Sequence, residues 1–197
     1  MAVLLHGGFW RSAYGRDLMA PLAADLVDAG WATWNLEYRR VGDGGGWPAT
    51  FDDVAAGIGA LRKHIDAGPV VTVGHSAGGH LALWAGDRVD GAVSLAGVVD
   101  LVEAWRLGLS RGAVAELLGG GPDDVADRFA SASPARPGVP HLLVHGRDDA
   151  VVPVAFAEVW DDPQADVVVL DGVDHMAVID PASAAWAEVR AWLTRWI

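Results

Sequence analysis

The sequence predicts an α/β fold, a mainly parallel sheet of about six strands flanked by helices. Short β-branched or apolar runs recur along the chain, and each ends in a polar or glycine-containing corner that leads into a helical pattern. In addition, 197 residues of which 52% are hydrophobic suffice for a layered core, read as one unit spanning residues 1–197. In chain order, the strands are Val3 to Leu5, Ala32 to Leu36, Val70 to Val73, Ala92 to Leu95, Leu142 to Val144 and Val167 to Leu170. Helices are expected over Arg16 to Ala29, Phe51 to Ile65, Ala77 to Gly86, Val154 to Val159 and Pro181 to Trp196. The last carries Trp186, Val189, Leu193 and Trp196 as one apolar stripe, which reads as core packing. Gly42 to Gly46 and Gly119 to Gly138 read as loops, the former as a mobile pocket edge.

Composition excludes several classes of function. With 14 Lys+Arg against 26 Asp+Glu, the formal charge of -12 repels phosphate backbones and anionic lipid, so nucleic acid and membrane partners are not expected. No apolar stretch approaches the roughly 20 residues of a bilayer span. The absence of cysteine removes thiolate nucleophiles and Cys-ligated zinc. His141 and His145, four apart on a strand, are about 13 Å apart by strand rise, and no metal site or cofactor is expected. The start of the chain lacks a basic segment followed by a signal-type apolar run, so a cytoplasmic location is the expectation.

The chemistry concentrates in Val70-Val71-Thr72-Val73-Gly74-His75-Ser76-Ala77-Gly78-Gly79-His80, a G-x-S-x-G sequence between a β-branched strand and an alanine-rich helix. Glycines around Ser76 permit a strained turn that lifts the hydroxyl to an exposed position at the carboxyl edge of the sheet. A hydroxyl needs a base, and His175 follows the strand Val167 to Leu170. The acid should leave the preceding strand, within His145-Gly146-Arg147-Asp148-Asp149, which gives the order Ser, Asp, His along the chain. In His6-Gly7-Gly8-Phe9-Trp10 two glycines end the first strand, so the N–H groups of Gly8 and Phe9, together with that of Ala77, are the candidate donors to a tetrahedral oxyanion. Trp10, Trp47 and Trp105 are candidates for the substrate pocket.

With these residues in place, the chain resembles the α/β-hydrolase superfamily, in particular its esterase and kynurenine-formamidase-like branch with His-Gly-Gly-x-Trp. The matching elements are His6 to Trp10, Tyr38-Arg39 with Trp47-Pro48 and Asp53, Gly74 to Gly79, His145-Gly146 with Asp149 and Pro153, and Asp174-His175. The resemblance implies Ser76 as nucleophile, His175 as general base and then acid, and Asp149, chosen over Asp148 by its spacing to Gly146 and Pro153, as the group orienting the imidazole. The family pattern has two strands before its His-Gly-Gly strand, which here begins at residue three. It implies an order that leaves Ala32 to Leu36 as an exposed edge, open to edge-to-edge association and a homodimer. Between Leu95 and Leu142 there is room for only a helix or two, so no large lid is expected.

The function that follows is cleavage of a small carboxylic ester or amide through an acyl-enzyme. N-formylkynurenine formamidase is the narrower alternative. A noncatalytic, hydrolase-like binding protein is the other, and it gives no reason for the chain to keep all three of Ser76, Asp149 and His175.

Overall fold

The structure, a computed structural model, describes residues 1–64, 68–134 and 137–196. Its centre is a six-stranded sheet made of β1 (Ala2–Leu5), β2 (Thr33–Leu36), β3 (Val71–His75), β4 (Gly91–Leu95), β5 (His141–Gly146) and β6 (Ala165–Leu170). All pairings are parallel and the order is β2-β1-β3-β4-β5-β6, as the sequence leads one to expect, with β2 at one edge. The central strands β1, β3, β4 and β5 are buried throughout, as strands covered on both faces must be.

Eight α-helices are described: α1 (Ala20–Asp28), α2 (Ala49–His64), α3 (Ala77–Trp84), α4 (Leu101–Arg106), α5 (Leu109–Leu118), α6 (Ala126–Ala132), α7 (Ala155–Glu158) and α8 (Ala184–Leu193). Strand alternation divides the core in two. Val3 and Leu5 face a layer that holds Val54 and Ile58 of α2, Leu81 of α3, Leu117 of α5 and Phe129 of α6. Ala2 and Leu4 face the opposite layer, with Leu22 and Leu26 of α1 and Trp186 and Val189 of α8. Trp186, Val189 and Leu193 of α8 are core, as their spacing predicts, while Trp196 lies in a 3-10 turn after the helix and packs on this layer only partly buried.

Several expected boundaries shift. The helix expected over Arg16 to Ala29 opens as a 3-10 turn at Arg16–Met19 before Pro21 enters the first turn of α1. The helix expected to begin at Pro181 starts only at Ala184, because Ser183 caps it by accepting the Trp186 N–H at 3.0 Å. Ile65, expected to end α2, lies outside the described residues.

Two larger expectations are corrected. The connection between β4 and β5 holds three helices rather than one or two, and α6 falls inside the stretch Gly119 to Gly138 that reads as a loop. Asp100 starts this insertion by capping α4 through the Glu103 N–H at 2.8 Å. The segment Gly42 to Gly46 is pinned rather than loose. Val41 donates to the Trp10 carbonyl at 2.8 Å, Gly45 to that of Arg40 at 2.8 Å, and Gly46 to the Thr50 hydroxyl at 3.0 Å.

Candidate active site

β3 ends directly in the turn that presents Ser76, whose φ of 55° and ψ of -117° are strained for a residue with a side chain. The neighbouring glycines explain how the turn closes. A Cβ on Gly74 would run into the carbonyl of Gly78, and one on Gly78 into the carbonyls of Leu5 and His6. Any larger residue at either position would push α3 away from β1 and β3. Ala77 is the first residue of α3, where the N–H groups have no carbonyl of their own helix to bind.

The loop after β1 approaches from the other side. A Cβ on Gly7 would lie 3.0 Å from the Ser76 Cβ, so the two turns touch with no space between them. Gly8 (φ 110°) and Phe9 (φ 51°) then take left-handed backbone, and Gly8 packs against Tyr14. Ser76 is 1% exposed as a result. This differs from the expected exposed hydroxyl: close packing of the glycine loop puts the serine below the surface.

Past β5, Asp149 has a fully buried side chain that three donors hold, with His145 Nε2, which also reaches the Val152 carbonyl at 3.0 Å, nearby. Its Oδ1 accepts the N–H groups of Val151 and Val152, each at 2.8 Å. Its Oδ2 lies 2.7 Å from His175 Nδ1 and 3.2 Å from His145 Nε2. Burial by itself pushes this carboxyl up, but the hydrogen bonds from His145, His175 and the Val152 N–H outweigh it and hold the group well below the ordinary carboxylate range. Asp149 is therefore an anion. Asp148, in contrast, is exposed. A carboxylate that fixes Nδ1–H of an imidazole leaves Nε2 as the basic nitrogen. Among the described residues Ser76 Oγ forms no hydrogen bond to His175.

His75, next to Ser76, anchors His175: its Nε2–H donates to the His175 carbonyl at 2.9 Å, and the two rings lie 4.7 Å apart. Burial, then repulsion from His175, pushes His75 down to about 3, and burial pushes His80 down to about 4, so both stay neutral. His80 Nε2–H donates to the Ala132 carbonyl at 2.8 Å. This sets a direction for acid stability. The unfolded chain protonates these rings near the ordinary 6.5 while the folded chain resists, so stability is complete above that value and is lost as pH falls from 6.5 towards 4. The urea midpoint is expected to be lower at pH 5 than at pH 7. His80→Phe should make that dependence shallower; an unchanged difference in this variant would contradict the assignment for His80.

The three pocket candidates have different surroundings. Trp10 is fully buried, because positive φ at Phe9 and Trp10 folds the indole inward, edge-on to His80 at 5.2 Å. Trp47 rests on Phe51 at 4.9 Å and lines a 400 Å³ cavity with Leu83, Trp84 and Pro137. Trp105 is 39% exposed on α4 and faces Gly121. The sequence reading passed over His75 as a support for His175, and considered His145 only as a metal ligand. The signal for His145 was its place four residues before Asp149, across the strand-end Gly146. Among the described residues no group of three His, Asp or Glu could hold a metal, and no helix is long and apolar enough to cross a membrane.

The sheet order, the strand-turn-helix at Ser76 and the placement of Asp149 and His175 after β5 and β6 define the α/β-hydrolase fold. Residues 1–90, a little under half of the chain, match the family model BD-FAE. The probable carboxylic ester hydrolase LipM of Mycobacterium tuberculosis is 27% identical over 181 residues, which cover 78% of this chain and 42% of that protein. The chain thus spans less than half the length of this relative. A truncated carbohydrate esterase from gut microbiota superposes with a TM-score of 0.80 at 22% identity, over 99% of this chain and 85% of its own. Esterase B from Lactobacillus rhamnosis, inhibited by a tributyrin phosphonate, superposes with a TM-score of 0.79 at 20% identity, over 98% of this chain and 73% of its own. These likenesses establish the fold. A formamidase assignment finds no support in them.

Proposed function

We propose that the protein is a serine hydrolase that cleaves a small carboxylic ester through an acyl-enzyme, with Ser76, His175 and Asp149 as its reacting and orienting groups. The observation that carries this reading is the buried Asp149 carboxylate 2.7 Å from His175 Nδ1, together with a serine held in a strained turn, whose neighbour His75 packs its ring 4.7 Å from that of His175. Ser76 Oγ attacks the ester carbonyl carbon while His175 Nε2 takes its proton, and Asp149 holds Nδ1–H and stabilises the imidazolium. The N–H groups of Gly8, Phe9 and Ala77 receive the negative charge on the former carbonyl oxygen. The tetrahedral adduct collapses as the imidazolium protonates the leaving alcohol. Water, deprotonated by the same imidazole, then attacks the acyl group and returns Ser76 with the free acid. The esterases among the similar proteins support an ester as substrate. The same reading includes action of residues 1–197 as one unit in the cytoplasm, and pairing of two copies through the β2 edge.

The short loop over Ser76 and the near-complete burial of that residue favour small acyl groups, because a long chain would extend into water and gain little burial energy. Acetyl to butyryl aryl esters are expected to give a higher kcat/KM than dodecanoyl esters. Fastest turnover of the long esters would contradict the small acyl site. N-formylkynurenine belongs in the same panel, and its hydrolysis would be needed before the formamidase reading gains any observation of its own.

A further inference from the structure

Sulfur is scarce in this chain: there is no cysteine, and three methionines carry all of it. Met19 is fully buried in the layer that holds Leu22 and Leu26. Met1 is half-buried at the end of β1 away from Ser76, with its amine on the Pro69 carbonyl at 2.7 Å. Met176 differs from both. It is 51% exposed, and it is the residue after His175. Oxidation of sulfur follows exposure, and a chain without thiols has no faster-reacting group to consume the oxidant first.

The join between Met176 and His175 is held at both ends. The carbonyl of the peptide they share accepts His75 Nε2–H at 2.9 Å, and the N–H of the same peptide donates to Asp174 Oδ1 at 2.9 Å. Because a peptide is planar, these two bonds fix the backbone of one residue against that of the other. On its far side Met176 opens the 3-10 turn Ala177–Ile179, where its carbonyl accepts the Ile179 N–H at 3.1 Å and Val178 and Ile179 are buried in the core. A shift of Met176 is therefore passed towards His175 and not into the anchored turn.

About half of Met176 lies against the protein, a cover that suits an apolar thioether. The oxygen of a sulfoxide is a strong acceptor, and covering it without a donor is costly. We propose that Met176 is an oxidation switch on the active site: a hydroperoxide converts it to the sulfoxide, and the displaced residue turns the His175 ring off Asp149, so that ester hydrolysis falls until the oxygen is removed. With hydrogen peroxide, the sulfur lone pair forms an S–O bond to one peroxide oxygen, the O–O bond breaks, and the other oxygen takes the proton and leaves as water. Sulfur gives up one electron pair and the peroxide takes it. A dithiol reverses the step and ends as a disulfide and water. The proposal rests on the acyl-enzyme reading above and adds a means of regulating it.

The test is treatment of the full chain with hydrogen peroxide, followed by peptide mass spectrometry, hydrolysis of a short ester, and proton NMR of the imidazole proton between His175 Nδ1 and Asp149 Oδ2. Sulfoxide should form at Met176 about tenfold faster than at Met19, or faster still. In step with it kcat should fall about tenfold or more, as expected when a reacting group is misplaced. The imidazole proton should shift, and methionine sulfoxide reductases for both epimers, supplied with a dithiol, should restore the rate and the resonance. Met176→Leu, similar in volume and without sulfur, should begin within about twofold of the wild-type kcat and keep it through the same treatment. Loss of activity in Met176→Leu at the wild-type rate, or complete sulfoxide at Met176 with kcat and the imidazole proton unchanged, would overturn the proposal. Untreated protein that shows neither ester hydrolysis nor a phosphonate adduct on Ser76 defeats the acyl-enzyme reading instead, and the imidazole proton still decides whether the sulfoxide moves His175.

Discussion

Ser76→Ala is expected to lower kcat on a short ester by about 10⁴-fold or more, because no other group in the site replaces the covalent nucleophile. The residual rate should be that of oxyanion donors acting on a water attack. Loss of the fold would not account for such a result. Alanine meets the same backbone strain as serine at φ 55°, and Ser76 Oγ supplies no cap to α3. The thermal midpoint should therefore stay close to that of the wild type. Kinetics and calorimetry on the same sample check both halves; a variant that retains a tenth of the wild-type rate would show that another residue attacks the carbonyl.

Asp149→Asn is expected to cost about 10³ to 10⁴ in kcat. An amide at this position removes the anion that stabilises the imidazolium. Its NH₂ group also faces the His175 ring or the Val151 and Val152 N–H groups, and donors then meet donors. Asp148→Asn, on an exposed carboxylate one residue earlier, should change kcat by less than threefold, on the order expected for a surface substitution. The two variants, compared under one set of conditions, isolate the carboxylate in use. Equal losses, or a larger loss at Asp148, would reassign the acid.

The turn at Ser76 was legible in the sequence because its geometry restricts residue choice. Gly74 and Gly78 each sit where a Cβ would meet backbone, so the pattern of glycines is itself a record of close packing between β1, β3 and α3. The parallel sheet was legible for a similar reason: a strand covered on both faces has little use for polar residues, and β3 from Val71 to Val73 has only Thr72. Asp149 was chosen on spacing alone, and nothing in that spacing reveals that His145 also reaches its Oδ2.

Other parts were hidden because they depend on distant partners. His6 and Glu37 are 31 residues apart and meet only through the register of β1 against β2. Trp10 reads as a pocket candidate, but the left-handed backbone at Phe9 and Trp10 sends the indole into the core. The connection between β4 and β5 contains Gly108, Gly112 and Gly119. In the structure the first two belong to a left-handed turn at the start of α5, and Gly119 caps its end. Asp100 caps α4 through the N–H of Glu103, three residues later.

The central claim, that Ser76 is the residue acylated during turnover, is tested most directly by reacting the native protein with a short-chain aryl phosphonate and mapping the adduct by peptide mass spectrometry. The account predicts one adduct per chain, on the peptide containing Ser76, with loss of ester hydrolysis in proportion to labelling. An adduct on another residue that tracks the loss of activity, or full hydrolysis in a protein fully labelled at Ser76, would contradict it.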